Sequence, residues 1–241
     1  MLVSSHPLPL VLNGRACCAH ADPKHAVCTV CRCTALYTCA RRIAGNRHLE
    51  ELLLQLPPQL LFTEQEVTAE ATVFHAFPSL KRLSIHNAGA WLSTDTCPWG
   101  FAAIGVACPL LEYLDVSRSN IANKDMLILR SYDQKKLNSK GSVLFSNLKE
   151  LNLDRCRKLG NVGVRRIKLS CPNLTALSLR HMKGVDVSAV RVICEVCNIE
   201  SMCLMGMGRR LNDDDLEWIA QECPNLKRLD VRECKVTASL V

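Results

Sequence analysis

The residues with the most chemical potential stand near the start of the chain: Cys17, Cys18, His20, His25, Cys28, Cys31, Cys33 and Cys39. Thiolates and imidazoles are zinc ligands, and Cys28-x-x-Cys31 has the spacing of one half of a tetrahedral structural site. Cys17 with His20, or Cys33 with Cys39, would have to supply the other half, and neither pair stands at a definite spacing from the first. No metal and no other cofactor is therefore assigned. The competing reading of the fifteen cysteines in 241 residues is burial as small hydrophobes kept reduced. Among motifs that carry reactions, there is no phosphate loop, no His-Glu-x-x-His and no Gly-x-Ser-x-Gly. Gly206-Met-Gly208 reads as a turn and Asp213-Asp-Asp215 as a capped helix start. The expectation is a protein that is not an enzyme.

The positioning elements come from a repeat. Cys171-Pro-Asn-Leu-Thr-Ala-Leu-Ser-Leu179 returns as Cys223-Pro-Asn-Leu-Lys-Arg-Leu-Asp-Val231. The underlying phrase Leu-x-x-Leu-x-Leu, with apolar homologues allowed, starts at Leu80, Leu111, Leu148, Leu174, Ile199 and Leu226, and a seventh copy is expected at Leu49. The last four starts lie about 26 residues apart, inside the range of leucine-rich repeats. Downstream, Leu159/Val164/Ile167, Val185/Val190/Ile193 and Leu211/Leu216/Ile219 place apolar residues on one face of a short helix. Asn123, Asn161, Asp186 and Asn212 stand where helices start, and their side chains can accept orphan backbone N–H groups. Each unit is thus a strand, a turn and a helix, and one unit alone cannot cover its apolar side.

Alternation in the strand sends the leucines inward and their neighbours to the opposite, concave face. Three outward columns result. The first is Arg82, Tyr113, Glu150, Ala176, Ser201, Arg228; the second Ser84, Asp115, Asn152, Ser178, Cys203, Asp230; the third His86, Ser117, Asp154, Arg180, Met205, Arg232. Acidic residues at the centre lie between basic ends, and Ala176, Ser201, Cys203 and Met205 form a small apolar patch. Mixed charge over an extended face suits a protein partner. The expected contact set is Arg82, His86, Tyr113, Asp115, Glu150, Asn152, Asp154, Arg180, Arg228, Asp230 and Arg232.

Three residues beyond each strand's last inward position stand Ala88, Ser119, Cys156, Met182, Met207 and Cys234, where a small or soft group fits against buried backbone. With the unit-opening Cys108-Pro, Cys171-Pro-Asn-Leu and Cys223-Pro-Asn-Leu, the strand-end Cys156 and Cys234, and the helix phrase Leu211-Asn-Asp-Asp-Asp-Leu216, the chain resembles the cysteine-containing leucine-rich-repeat family of F-box/leucine-rich-repeat proteins and Amn-type regulators. The resemblance covers residues 49–241. It implies an α/β solenoid with parallel strands on its concave face and helices on its convex face. It also implies substrate recognition or regulation in a cullin-type ubiquitin-ligase pathway, with ligase subunits as possible partners. The different-class alternative is a scaffold subunit in a cytoskeletal or organellar assembly.

Residues 1–27, punctuated by Pro7, Pro9, Gly14 and Pro23, are expected to be a poorly ordered tail, 28–48 an irregular capping segment and 49–241 the repeat domain. Leu36, Ala40, Ile43 and Ala44 give the cap helical spacing. Leu8-Pro9 and Val30-Cys31-Arg32 resemble the two ends of an F-box, but the leucine and isoleucine helices between them are missing. A mitochondrial presequence is a further reading of this basic segment. Residues 1–48 hold six basic side chains against Asp22 alone, and so supply most of the net charge of +7; this argues against the repeat surface as a nucleic-acid platform. The opening lacks the basic n-region of a secretory signal. No run of about 18 apolar residues exists, so no transmembrane helix is expected. The expected location is cytoplasmic or nuclear. A helix is expected at 64–75, edge packing of Trp91, Trp99 and Phe101, and a mobile surface loop at 130–142.

Overall fold

The computed structural model describes residues 25–29, 50–55, 78–86, 101, 104–105, 108–126, 145–195, 197–208 and 211–237. Eight strands form one parallel sheet in strict chain order: β1 His25–Thr29, β2 Glu51–Gln55, β3 Arg82–His86, β4 Tyr113–Asp115, β5 Glu150–Asn152, β6 Ala176–Ser178, β7 Ser201–Cys203 and β8 Arg228–Asp230. The central leucine of each phrase is in register with the next, running Leu52, Leu83, Leu114, Leu151, Leu177, Met202, Leu229. From Leu80 to Leu204 every inward strand position is at most 2 % exposed, which is the alternation a sheet buried on one face requires.

Among the described residues the other layer includes the helical positions 101 and 104–105, a helical turn at 123–126, and α1 Asn161–Val164, α2 Ile167–Ser170, α3 Val187–Cys194 and α4 Asp213–Glu222. Ile121, Met126, Val164, Ile167, Val190, Ile193 and Ile219 join the strand leucines in one continuous core. The apolar spacing of Leu159/Val164/Ile167 is therefore read correctly, yet it is delivered by two short helices where one was expected. Phe101 is buried and its ring packs 5.1 Å from that of Phe145, so this aromatic belongs to the core.

The helix starts carry a correction. Asp186 accepts from Ser188 N at 2.9 Å, and Asn212 forms a reciprocal capping box with Asp215, as expected. Asn123 and Asn161 serve the next repeat instead. Asn123 Oδ1 accepts from Gly160 N at 2.8 Å and Gly163 N at 2.9 Å, supplying the cap that Gly160 cannot. Asn161 Oδ1 accepts from Asp186 N, and its Nδ2 donates to Asp186 Oδ2 at 2.7 Å. The asparagine of the opening phrase works the same way: Asn147 and Asn173 donate to the carbonyls of Pro109 and Ser146 one unit back. Polar side chains thus tie repeat to repeat while leucines fill the space between.

Among the described residues, Cys108, Cys156, Cys171, Cys194, Cys197 and Cys223 are buried packing residues, and some cysteines have a second role. Cys156 Sγ reaches Val116 O and Cys234 Sγ reaches Leu204 O, each at the end of the preceding strand. Burial pushes the thiol of Cys108 up to about 12 and that of Cys156 to about 11. Both thiols stay protonated near neutrality, and that of Cys156 donates weakly to a carbonyl that the sheet leaves over.

β1 spans the expected boundary between tail and cap, pairing Cys28 with Leu54 in register, so among the described residues the first strand of the sheet starts at His25. The other proposed zinc ligands outside this strand in residues 17–39, the helix at 64–75, Trp91 and Trp99, and the loop at 130–142 lie outside the described residues. Among the described residues no cluster of three or more His, Cys, Asp and Glu is arranged to hold a metal, and no helix is long and apolar enough to cross a membrane.

Candidate protein-interaction face

Strand register assembles the first two outward columns as expected: Arg82, Tyr113, Glu150, Ala176, Ser201 and Arg228 stand side by side, as do Ser84, Asp115, Asn152, Ser178, Cys203 and Asp230. Backbone bonds carry the pairing past the strands. Arg118 N donates to Asp154 O, Arg155 N to Arg180 O, His181 N to Met205 O and Gly206 N to Arg232 O, so the third column is also held in line. His86 is placed at the end of β3, opposite Gln55.

The acids on this face are committed to the fold. Asp115 is only 4 % exposed, against its expected place on an open surface. Its Oδ1 accepts from Ser117 N at 2.9 Å, and its Oδ2 takes Asn152 Nδ2 at 3.2 Å and the Tyr113 hydroxyl at 3.5 Å. Asn152 Oδ1 accepts from Asp154 N, and Asp230 Oδ1 from Arg232 N, in the same two-residue pattern. Ser178 is too short to repeat the cap for Arg180. Asp154 of the preceding repeat does so, accepting from Arg180 N at 2.9 Å and from Ser178 Oγ at 2.6 Å. The acidic centre of the face is thus largely a set of turn caps.

The basic end is also partly tied. Arg180 lies across two repeats: its Nε donates to Cys203 Sγ at 3.0 Å, with Asp154 Oδ2 at 3.7 Å and Asp230 Oδ2 at 3.8 Å from its nitrogens. Cys203 in turn donates to Asp230 at 3.4 Å. Arg232 grips Asp230 through Nε at 2.9 Å and Nη2 at 2.7 Å, and this bonding holds the Asp230 carboxyl well below the usual carboxylate range. Cys203 therefore belongs to a polar relay as well as to the small-residue patch. At the other end, Arg82 stacks 4.1 Å above the Tyr113 ring and lies 3.5 Å from Glu51. Burial, and then the charge of Asp115, push the Tyr113 phenol up to about 12.

Two expected contact residues keep their charge for an outside group. Glu150 and Arg228 are exposed, and their side chains make no hydrogen bond or ion pair with any described residue. Glu150 lines a shallow depression of about 340 Å³ with Tyr113, Ala176, Leu177, Ser178, Arg180, Ser201 and Cys203, and Arg228 stands one strand beyond, beside Ser201. The depression is open and polar, a shape that receives a segment of a macromolecule better than an enclosed substrate.

A family profile described as "Leucine Rich repeat" matches residues 146–168. The protein is a leucine-rich-repeat solenoid. No curated protein matches it in sequence. Among solved structures it is similar to the crystal structure of the Rad7 and Elc1 complex in yeast, at 16% identity over 90% of this chain and 72% of that one, with a TM-score of 0.43. It is also similar to the TLR13–ssRNA13 complex, at 16% identity over 89% of this chain and 33% of that one, with a TM-score of 0.42.

Sequence register alone does not reveal one feature of the solenoid. Immediately beyond the third column runs a row with positive φ: Arg118 at 58°, Arg155 at 58°, His181 at 53°, Gly206 at 77° and Glu233 at 62°. A glycine is at ease there, and a Cβ on Gly206 would meet His181 Nδ1 at 2.2 Å. The other positions carry large side chains in a conformation that costs about 1 kcal/mol each for an L-residue. The sequence signal for this row is the residue directly after each third-column position, three beyond the second column, a pattern that becomes visible only once the turns are superposed.

Proposed function

We propose that the protein is a non-enzymatic recognition module whose concave face receives a segment of a protein partner, and that it serves substrate recognition or regulation in a cullin-type ubiquitin-ligase pathway. The observation that carries the first part is the open depression lined by Glu150, with Arg228 one strand beyond it, two face charges whose side chains bond to no described residue while their neighbours cap turns. A partner that supplies a basic group to Glu150 and an acidic group to Arg228 gains charge-assisted bonds without breaking any that hold the repeat together. The ligase assignment is supported by the cysteine-type phrases, from Cys108-Pro to Cys223-Pro-Asn-Leu. Reduced, buried thiols fit a cytoplasmic or nuclear setting.

The test is affinity capture from cell extract under reducing conditions, comparing the unaltered protein with the double variant Glu150→Lys/Arg228→Glu. Cullin-ligase subunits or their short-lived substrates recovered with the unaltered protein and lost with the variant are the expected result. Equal recovery by both would place the contact elsewhere, and recovery of stable assembly components alone would favour a scaffold.

A further inference from the structure

Three successive turns leave the sheet at 117–121, 155–160 and 181–185 and read Ser-Arg-Ser-Asn-Ile, Arg-Cys-Arg-Lys-Leu-Gly and His-Met-Lys-Gly-Val. They carry six basic side chains, Arg118, Arg155, Arg157, Lys158, His181 and Lys183, and no acid. All but His181 are exposed, and none of those five makes an ion pair or side-chain hydrogen bond with a described residue. Arg118, Arg155 and His181 occupy the positive-φ row, each anchored through its backbone N–H to the next repeat. Their spacing is therefore that of adjacent strands, about 4.8 Å. Of the acids beside them, Asp154 caps Arg180 N and Ser178 and Asp186 caps α3, while Glu233 lies 3.8 Å from His181 at the end of the run. Since most of the net charge belongs to residues 1–48, this rim is a local concentration and not a sample of a uniformly basic surface.

We infer that this rim is a second interaction surface, which takes an acidic segment of a polypeptide laid across three repeats. Arginine forks and lysine ammonium groups at regular spacing match successive carboxylates. A nucleic acid fits less well. The three turns hold no Phe, Tyr or Trp on which a base could stack, and the His181 ring has one face closed against Gly206. The basic run ends where Gly206 and Glu233 take over the row, so the acidic segment is confined to one end of the rim. This surface is separate from the depression lined by Glu150, and neither needs the other.

The experiment uses the full chain and fluorescence anisotropy with a labelled alternating Glu-Gly peptide of about twelve residues, long enough at roughly 3.4 Å per residue to cross the three turns. The expected result is binding that weakens with added salt and falls at least about tenfold in Arg155→Glu/Arg157→Glu/Lys183→Glu. The same change of charge on the helical side, Arg165→Glu/Arg166→Glu/Lys168→Glu, is expected to leave binding nearly intact. Circular dichroism confirms that both variants fold. Equal weakening by the two triple variants, no binding by the unaltered protein, or tighter binding of an oligothymidylate strand than of the peptide would each overturn the inference.

Discussion

Replacing Asn123 by alanine tests whether repeats are joined by polar side chains as well as by leucines. One oxygen, Asn123 Oδ1, serves both Gly160 N and Gly163 N across the repeat boundary. These N–H groups lie at the start of α1, where helices have no internal acceptor, and Gly160 has no side chain to cap them. Gly163 is buried, and a Cβ placed on it would come within 2.8 Å of that same oxygen, so little room exists for water to substitute. Losing the bond to Gly160 N costs about 1 kcal/mol, and leaving the buried Gly163 donor unsatisfied costs about 1–3 kcal/mol. The alanine variant should therefore lose roughly 2–4 kcal/mol in urea unfolding followed by circular dichroism. Asn123→Asp, which keeps the acceptor, should retain most of that stability. Native-state hydrogen exchange gives the local signature: the Gly160 and Gly163 amides should lose protection in the alanine variant alone. A loss under about 0.5 kcal/mol, or unchanged exchange at those two amides, would refute the cross-repeat cap.

Leu177→Ala should destabilise by roughly 2–5 kcal/mol in the same unfolding assay, because Leu177 is 2 % exposed between Leu151 and Met202 in the sheet. Brief alkylation of the native protein with iodoacetamide, mapped by mass spectrometry, should modify Cys203 and Cys234 before Cys108, Cys156 and Cys171, whose thiols are buried and held protonated. The Asp186 carboxyl is lowered first by its bond to Ser188 and also by Asn161. Its stabilisation is therefore complete above the unfolded value of about 3.9 and is lost as pH falls through the lower folded value. The melting temperature of the unaltered protein should fall across that acid window more steeply than that of Asp186→Asn.

Much of the fold is legible because the repeat forces two periodicities on the chain at once. Leu174, Leu177 and Leu179 can only face one way in a strand, and their copies at Leu148, Leu151 and Leu153 must then stack beside them. The strand β1 escaped because His25-Ala-Val-Cys-Thr29 offers Ala26 and Cys28 where the next strand has Leu52 and Leu54, and small residues leave no leucine phrase to align. Side-chain partners were less legible for a different reason. That Asn161 bonds Asp186, or that Asp154 caps Arg180, depends on distances between repeats, and residue type specifies only that an acceptor is present. The outward columns were placed correctly by alternation, while the burial of Asp115 follows from Tyr113, Ser117 and Asn152 closing over it.

These commitments narrow what the solenoid can use for recognition. A carboxylate that accepts two or three bonds from its own fold loses them if it turns toward a partner, and the exchange yields little net free energy. Asp115, Asp154 and Asp230 are in that position, and Arg180 and Arg232 share their charge with the latter two. Among the described residues, the side-chain charges left for the proposed partners are Glu150 and Arg228 on the face and the five exposed basic residues along the rim. The two surfaces should also differ in salt response. The rim attracts through several exposed like charges whose fields add at long range, so screening acts on the whole attraction. The face offers a shaped depression with Glu150 in its lining and Arg228 one strand beyond it, so its affinity should depend more on fit and on each single bond formed. Measuring the two reversed variants side by side as salt is raised separates a surface that gathers a partner from one that selects it.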